Sequence, residues 1–221
     1  MLKFDIITFD CYGTLIDWEG GLVRAFQSEA ARAGVSLNAS EIIAAYMVEE
    51  LEVEAEGYRS YREVLSETAR RVAARLRFQI EPERAGFLAA SLPNWRPFPD
   101  TNAALERLAR RCQLGILSNI DDDLLAGTQR HFTVTFDLVV TAAHVKSYKP
   151  RPAHFREALA RTSGKRLLHA AQSYFHDVMP ACRLGIPVVW VNRKSELARE
   201  GGPEPTYEVR NLVTLADLLG V

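Results

Sequence analysis

Six polar residues stand at or just beyond the ends of short apolar runs: Asp10 and Thr14, Ser118 and Asn119, Lys149, and Asp177. Asp10 opens the stretch Asp10-Cys11-Tyr12-Gly13-Thr14-Leu15, where a glycine turn lets a carboxylate face a cavity and act as a nucleophile in covalent catalysis. Lys149 supplies a cation that would hold Asp10 ionised and balance the charge of Asp177. The hydroxyls of Ser118 and Thr14 would orient the attacking oxygen, and the amide of Asn119 would donate to a leaving group or a substrate carboxylate. Asp177 would orient Lys149 and activate the water that opens the resulting ester. Each residue alone has a plainer explanation: an aspartate after a strand is commonly a turn former, and Ser, Asn and Asp commonly cap helices. It is their occurrence together, each at a strand end, that favours chemistry.

The elements that must position these residues are legible from periodicity. Apolar runs at 2–9, 113–117, 136–140, 166–170 and 187–191 are rich in Ile, Val, Leu and Phe and predict buried strands. Helix-sized segments at 101–111, 122–131, 153–161 and 178–184 alternate with them, which predicts an α/β fold with a doubly wound parallel sheet. In such a sheet the ligand lies at the carboxyl ends of the strands, where the six residues stand. A short last strand is expected at 207–209, after a loop at 200–205. Residues 16–95 contain no strand pattern; Ile42, Ile43 and Tyr46, then Val64, Leu65, Thr68 and Val72, recur at helical spacing. Helices are predicted at 18–33, 39–54, 58–77 and 82–92, with Pro97 and Pro99 ending the run. The expected organisation is a core domain of residues 1–15 and 96–221 carrying an inserted helical cap of residues 16–95.

The chain has 221 residues, enough to bury a sizeable core, and its 27 Lys plus Arg nearly cancel 28 Asp plus Glu. That balance argues against nucleic acid or an acidic membrane surface as a partner. No basic start followed by a long apolar stretch is seen at the N-terminus, so a cytoplasmic protein is expected. Cys11, Cys112 and Cys182 have neither metal-ligand nor disulfide-framework spacing and are expected to be reduced thiols. A monomer or homodimer is expected.

Phe9 to Leu15, Leu117-Ser118-Asn119, Lys149-Pro150 and Asp177 resemble, in order, the four signatures of the haloacid dehalogenase superfamily, over essentially the whole chain. Within it, DCYGTLIDW, the Ser-Asn pair and SYKP are most similar to the 2-haloacid dehalogenase branch. The resemblance implies an aspartyl ester formed on Asp10 as halide leaves a small 2-haloalkanoic acid, with Cys11, Tyr12 and Asn119 lining the substrate site. It implies no cofactor. The phosphatase branch carries a second aspartate two residues after the nucleophile, and this chain has Tyr12 there; it also needs carboxylates near the fourth aspartate to hold magnesium, and here Tyr174, Phe175, His176, Val178 and Met179 surround Asp177. A magnesium-dependent phosphatase is therefore an alternative, and so is a non-catalytic member of the fold. Two departures touch the dehalogenase reading itself. Gln172-Ser173-Tyr174-Phe175 replaces the branch's Ser and Asn before the fourth aspartate, and the region near Glu41 lacks the cap arginine that grips the substrate anion. Among Arg24, Arg32, Arg59 and Arg62, Arg59 is the first choice for that role because Tyr58 and Tyr61 flank it. The stretch 172–177 is similar to a subgroup that includes an azetidine-2-carboxylate hydrolase, which keeps carbon–nitrogen hydrolysis open as a second alternative.

Overall fold

The computed structural model describes residues 4–221, so the expected strand start at residue 2 lies outside the described residues. The chain divides into two compact units. One comprises the chain up to Ile16, Pro97–Asn119 and Arg130–Val221; the other comprises Asp17–Arg96 and Ile120–Gln129.

The first unit is built on six parallel strands: β1 (Ile6–Phe9), β2 (Gln113–Ser118), β3 (Leu138–Thr141), β4 (Leu167–Ala171), β5 (Val188–Val191) and β6 (Tyr207–Val209). Their order is β3-β2-β1-β4-β5-β6. The central strands read as continuous apolar runs because both faces are covered, and Ile6, Ile7, Phe9, Leu117 and Leu168 are almost wholly buried. Winding reverses between β1 and β4, the place where an open α/β sheet presents its ligand crevice. Register brings the key strand ends level: Phe9 pairs with Ile116 on one side and Ala170 on the other. Asp10 thus emerges beside Leu117 and Ala171.

After β1 the chain forms the helices α1 (Trp18–Arg32), α2 (Ala39–Ala55), α3 (Tyr61–Arg75) and α4 (Phe87–Ser91) of the second unit. Helix α5 (Thr101–Ala109) belongs to the sheet unit, α6 (Asp122–Gln129) to the helical one, and α7 (Ala142–Val145), α8 (Ala153–Arg161), α9 (Met179–Arg183) and α10 (Leu212–Leu219) again to the sheet unit. Three sequence expectations shift for local reasons. Helix α3 begins at Tyr61 rather than 58, because Ser60 and Glu63 form a reciprocal capping box there. The stretch 82–92 is no single helix: Pro82, Gly86 and Pro93 break it into short turns around α4. Residues 120–129 group with the helical unit, since the Asp121 carboxylate accepts the N–H groups of Tyr61 and Arg62, both at 2.9 Å, and so caps α3.

Phe26, Leu22, Ile42, Val64, Leu65 and Leu88 fill the helical core, with Phe26 and Phe87 edge to face at 5.2 Å between centroids. Among the described residues no helix is long and apolar enough to cross a membrane. Gly21 on α1 lies against the indole of the buried Trp95, and a Cβ there would overlap the ring. Gly21→Ala is expected to destabilise the protein by about 1–3 kcal/mol through overpacking. Urea unfolding checks this, and an unchanged midpoint would show that the ring moves aside freely.

Candidate active site

The loop after β1 is folded back by its own backbone. Asp10 N–H donates to Ala170 O at 3.1 Å, the Leu15 and Ile16 N–H groups donate to Cys11 O at 2.8 and 2.9 Å, and Gly13 N–H donates to Ile16 O at 2.8 Å. Gly13 has φ of 99°, a conformation that a side chain would strain. The turn aims the Thr14 hydroxyl at Asp10: it donates to Oδ2 at 2.9 Å and accepts Gln172 N–H at 2.9 Å. One hydroxyl thereby joins the loops that follow β1 and β4. Arg193, paired with Asp100 at 3.0 Å, donates to Thr14 O at 2.9 Å and holds the same turn.

Lys149 is the centre of the group. Its Nζ donates to Asp10 Oδ1 at 2.9 Å, Asp177 Oδ1 at 2.7 Å and Leu117 O at 2.9 Å, which uses all three of its protons. The side chain is 2% exposed. The Asn119 amide fixes its backbone from both sides, accepting Lys149 N–H at 2.7 Å and donating to Lys149 O at 3.1 Å. Ser118 is buried at the end of β2, and its carbonyl accepts from His154 Nε2 at 3.1 Å. Burial, with the nearby Lys149 charge, presses the His154 pKa down to about 3, so this ring is a neutral donor.

Asp177 lies in a single π turn, Tyr174–Val178, set by Ser173 capping the His176 N–H. Its Oδ1 also accepts from His169 Nε2 at 2.9 Å. A carboxylate only accepts, so the proton is assigned to Nε2, and Nδ1 faces the Thr8 hydroxyl at 3.0 Å. Asp177 Oδ2 is buried and has no hydrogen-bond partner among the described residues. Burial works to raise both carboxyl groups. For Asp10 it prevails over Lys149, and the pKa lies above the ordinary aspartate value of 3.8. For Asp177 the Lys149 charge and the His169 hydrogen bond outweigh burial and hold the group at about 2. Burial likewise disfavours charge on Lys149, but the two carboxylates raise its pKa above the usual lysine value.

Asp10, Thr14, Lys149 and Asp177 therefore form one hydrogen-bonded group, with Ser118 and Asn119 adjoining it. Asn119, expected to donate to a ligand, has a positioning contact with Lys149 that the sequence did not reveal. Cys11 is buried beside Asp10, and burial pushes its thiol pKa well up, so the group is a packing neighbour without nucleophilic character. Tyr12 follows in the turn and bridges to Ile16. Arg59 lies in the helical unit, where its guanidinium pairs with Glu56 at 2.7 Å, so the expected anion clamp already has a counter-charge. Sequence reasoning missed Thr8, His154 and His169; a histidine amid the apolar residues of β4, eight residues before Asp177, was the available signal. Among the described residues, no group of three or more His, Cys, Asp or Glu side chains could hold a metal ion.

A family model matches the stretch of chain that carries Asp10, Ser118, Asn119 and Lys149. Residues 4–169 match the haloacid dehalogenase-like hydrolases. The chain belongs to this family. The (S)-2-haloacid dehalogenase H-109 of Pseudomonas putida is 29% identical over 99% of each chain. The L-2-haloacid dehalogenase of Xanthobacter autotrophicus has the same fold, with a TM-score of 0.85, 21% identity and 98% of each chain covered. Its structure with chloropropionic acid covalently bound gives 0.84, again at 21% identity and 98% coverage of each chain.

In this haloacid dehalogenase-like hydrolase, Lys149→Ala removes the charge that compensates two buried carboxylates. The expected cost is about 3–5 kcal/mol of stability, measured by denaturant unfolding near neutral pH. A loss under about 1 kcal/mol would mean that the pair is solvated as a surface ion pair is.

Proposed function

We propose that the protein hydrolyses a small 2-haloalkanoic acid through an ester on Asp10. An Asp10 oxygen attacks C2 of the substrate, and the carbon–halogen bond breaks as halide departs. Water then adds to the Asp10 carboxyl carbon and gives a proton to Asp177 Oδ2; the bond between that carbon and the original Asp10 oxygen breaks, the departing oxygen takes the proton back from Asp177 and leaves in the 2-hydroxy acid, and the Asp10 carboxyl loses its remaining proton to solvent. The observation that carries this reading is the Lys149 ammonium between the two carboxylates, 2.9 Å from Asp10 and 2.7 Å from Asp177. It favours an ionised nucleophile beside a second carboxylate whose Oδ2 accepts no hydrogen bond among the described residues. Thr14 orients Asp10; Asn119 and His169 act through Lys149 and Asp177, as positioning residues. Cys11, Tyr12 and Ser118 are the neighbours of the reacting carbon.

The reading is metal-free. No carboxylate stands two residues after Asp10 to protonate an alkoxide leaving group, and Tyr174, Phe175, His176, Val178 and Met179 beside Asp177 offer no further carboxylate to hold a divalent ion. A halide leaves without a proton. A small carboxylic acid is the substrate class, supported by the names of the relatives; the chemistry fits a soluble cytoplasmic enzyme acting on a diffusible metabolite.

A single turnover of 2-chloropropionate in heavy-oxygen water, with enzyme in excess, is expected to leave the new hydroxyl unlabelled and to place the label in Asp10. Mass spectrometry of product and peptide decides it, and solvent oxygen in the first product with none in Asp10 would falsify the ester mechanism. Asp10→Asn should fold and lose turnover, because a neutral amide is a far poorer nucleophile.

Attack needs the Asp10 carboxylate, and burial raises its pKa, so the ionised form is lost at a higher pH than for an ordinary aspartate. The acid limb of kcat/KM is expected above pH 3.8. A limb at or below that value would show that Lys149 and Thr14 outweigh desolvation.

A further inference from the structure

Both donors that reach the Asp177 side chain fall on one of its oxygens. Lys149 Nζ donates to Oδ1 at 2.7 Å and His169 Nε2 donates to the same atom at 2.9 Å, while the buried Oδ2 accepts no hydrogen bond among the described residues. If burial were all that the carboxylate had to survive, this would be a costly arrangement, because a bare buried acceptor keeps its full desolvation penalty. The polar side chains just before Asp177 face other partners: Gln172 meets Glu196, Ser173 meets His176, and the Tyr174 hydroxyl donates to Pro203 O. The second donor comes instead from inside β4, where His169 is wholly buried between Leu168 and Ala170.

The imidazole is held from several sides. Its backbone N–H donates to Pro187 O at 2.9 Å, the Phe155 ring meets it in a T-shaped contact at 5.2 Å between centroids, and the Thr8 hydroxyl stands 3.0 Å from Nδ1. The other acceptor near that hydroxyl is Leu168 O, at a long 3.4 Å, so its proton is assigned to Nδ1 and matches the tautomer with Nε2 protonated. Turning the carboxylate to chelate Lys149 with both oxygens would break the imidazole bond. Oδ1 is thereby pinned, and Oδ2 keeps its lone pairs.

We propose that Thr8 and His169 are positioning residues for the second half of the reaction: they keep Asp177 Oδ2 as the proton acceptor in ester hydrolysis and have no part in ester formation. The inference rests on the ester mechanism given above. In the first step an Asp10 oxygen bonds to C2 and halide takes the electron pair of the carbon–halogen bond; no proton moves, and Asp177 is a counter-charge to Lys149. In the second step Asp10 is an uncharged ester and the pull of Lys149 falls on Asp177. A water proton must then reach Oδ2 and pass to the departing oxygen, while His169 keeps its own proton throughout.

Rapid-quench single turnovers of 2-chloropropionate separate the two steps, since halide release times ester formation and the mass of the Asp10 peptide reports the ester. His169→Leu is expected to release the first equivalent of halide at close to the wild-type rate and to hydrolyse the ester about tenfold more slowly, or slower still. The Asp10 peptide then accumulates the mass of a 1-carboxyethyl group. His169→Gln, which retains a side-chain N–H donor, should recover much of the hydrolysis rate, a rescue that a packing role does not give. Thr8→Val should slow the same step, and nitrogen-15 NMR should show protonation of its His169 moving from Nε2 towards Nδ1, a readout independent of turnover. Equal slowing of both steps in His169→Leu, failure of its ester to accumulate, or no recovery with Gln would overturn the proposal. Should His169→Leu not fold, Thr8→Val decides it: slowed hydrolysis with the tautomer change supports the proposal, and a wild-type hydrolysis rate overturns it. Halide release with solvent oxygen in the first product and no ester on Asp10 in any of these proteins would instead overturn the ester mechanism, and this inference with it.

Discussion

Two carboxylates and one ammonium are held together out of water, and the rest of the sheet unit is arranged so that this costs little. An isolated buried charge is expensive, and three are tolerated only when each is paired and hydrogen-bonded. Lys149 meets that condition with all three protons engaged, one of them on the carbonyl of Leu117. The strands deliver the acceptors: β1 ends at Asp10, β2 provides the carbonyl, and the turn after β4 carries Asp177. Asn119 pins the lysine backbone, so that the long side chain enters from a fixed point.

The two aspartates touch the same cation and behave differently. His169 gives Asp177 a second strong donor on Oδ1, which lowers its pKa, while Oδ2 accepts no hydrogen bond among the described residues. Asp10 receives a neutral hydroxyl from Thr14 instead, and burial prevails. A pair of like groups pushed apart in this way suits separate tasks, one attacking and one handling a proton.

Much of this was legible in the sequence, because the residues concerned lie where an apolar run stops. Asp10, Ser118, Asn119 and Asp177 each follow or close such a run, and Lys149 precedes a proline that ends local regularity. The strand positions were equally visible, since a strand buried on both faces has an unbroken apolar composition. The histidines were hidden for the same reason: inside a run of core residues, His169 on β4 and His154 on α8 resemble packing. What distinguishes them is a partner far away in the chain, Thr8 for one and Ser118 for the other, and no local pattern encodes that. The contact of Asp121 with the first N–H groups of α3, about sixty residues away, was hidden likewise. Arg59 was singled out for its aromatic neighbours, while its actual partner, Glu56, stands three residues before it.

Thr8 and His169 are register partners on adjacent strands, and their side chains meet on the face of the sheet that leads to Asp177. A slip of β4 against β1 by one residue would turn the imidazole to the opposite face and put an alanine or leucine opposite Thr8. Asp177 would then lose a donor that helps make its burial tolerable. Strand alignment and charge burial are thus coupled: the native register of β4 on β1 is the one that presents an imidazole donor to the buried Asp177.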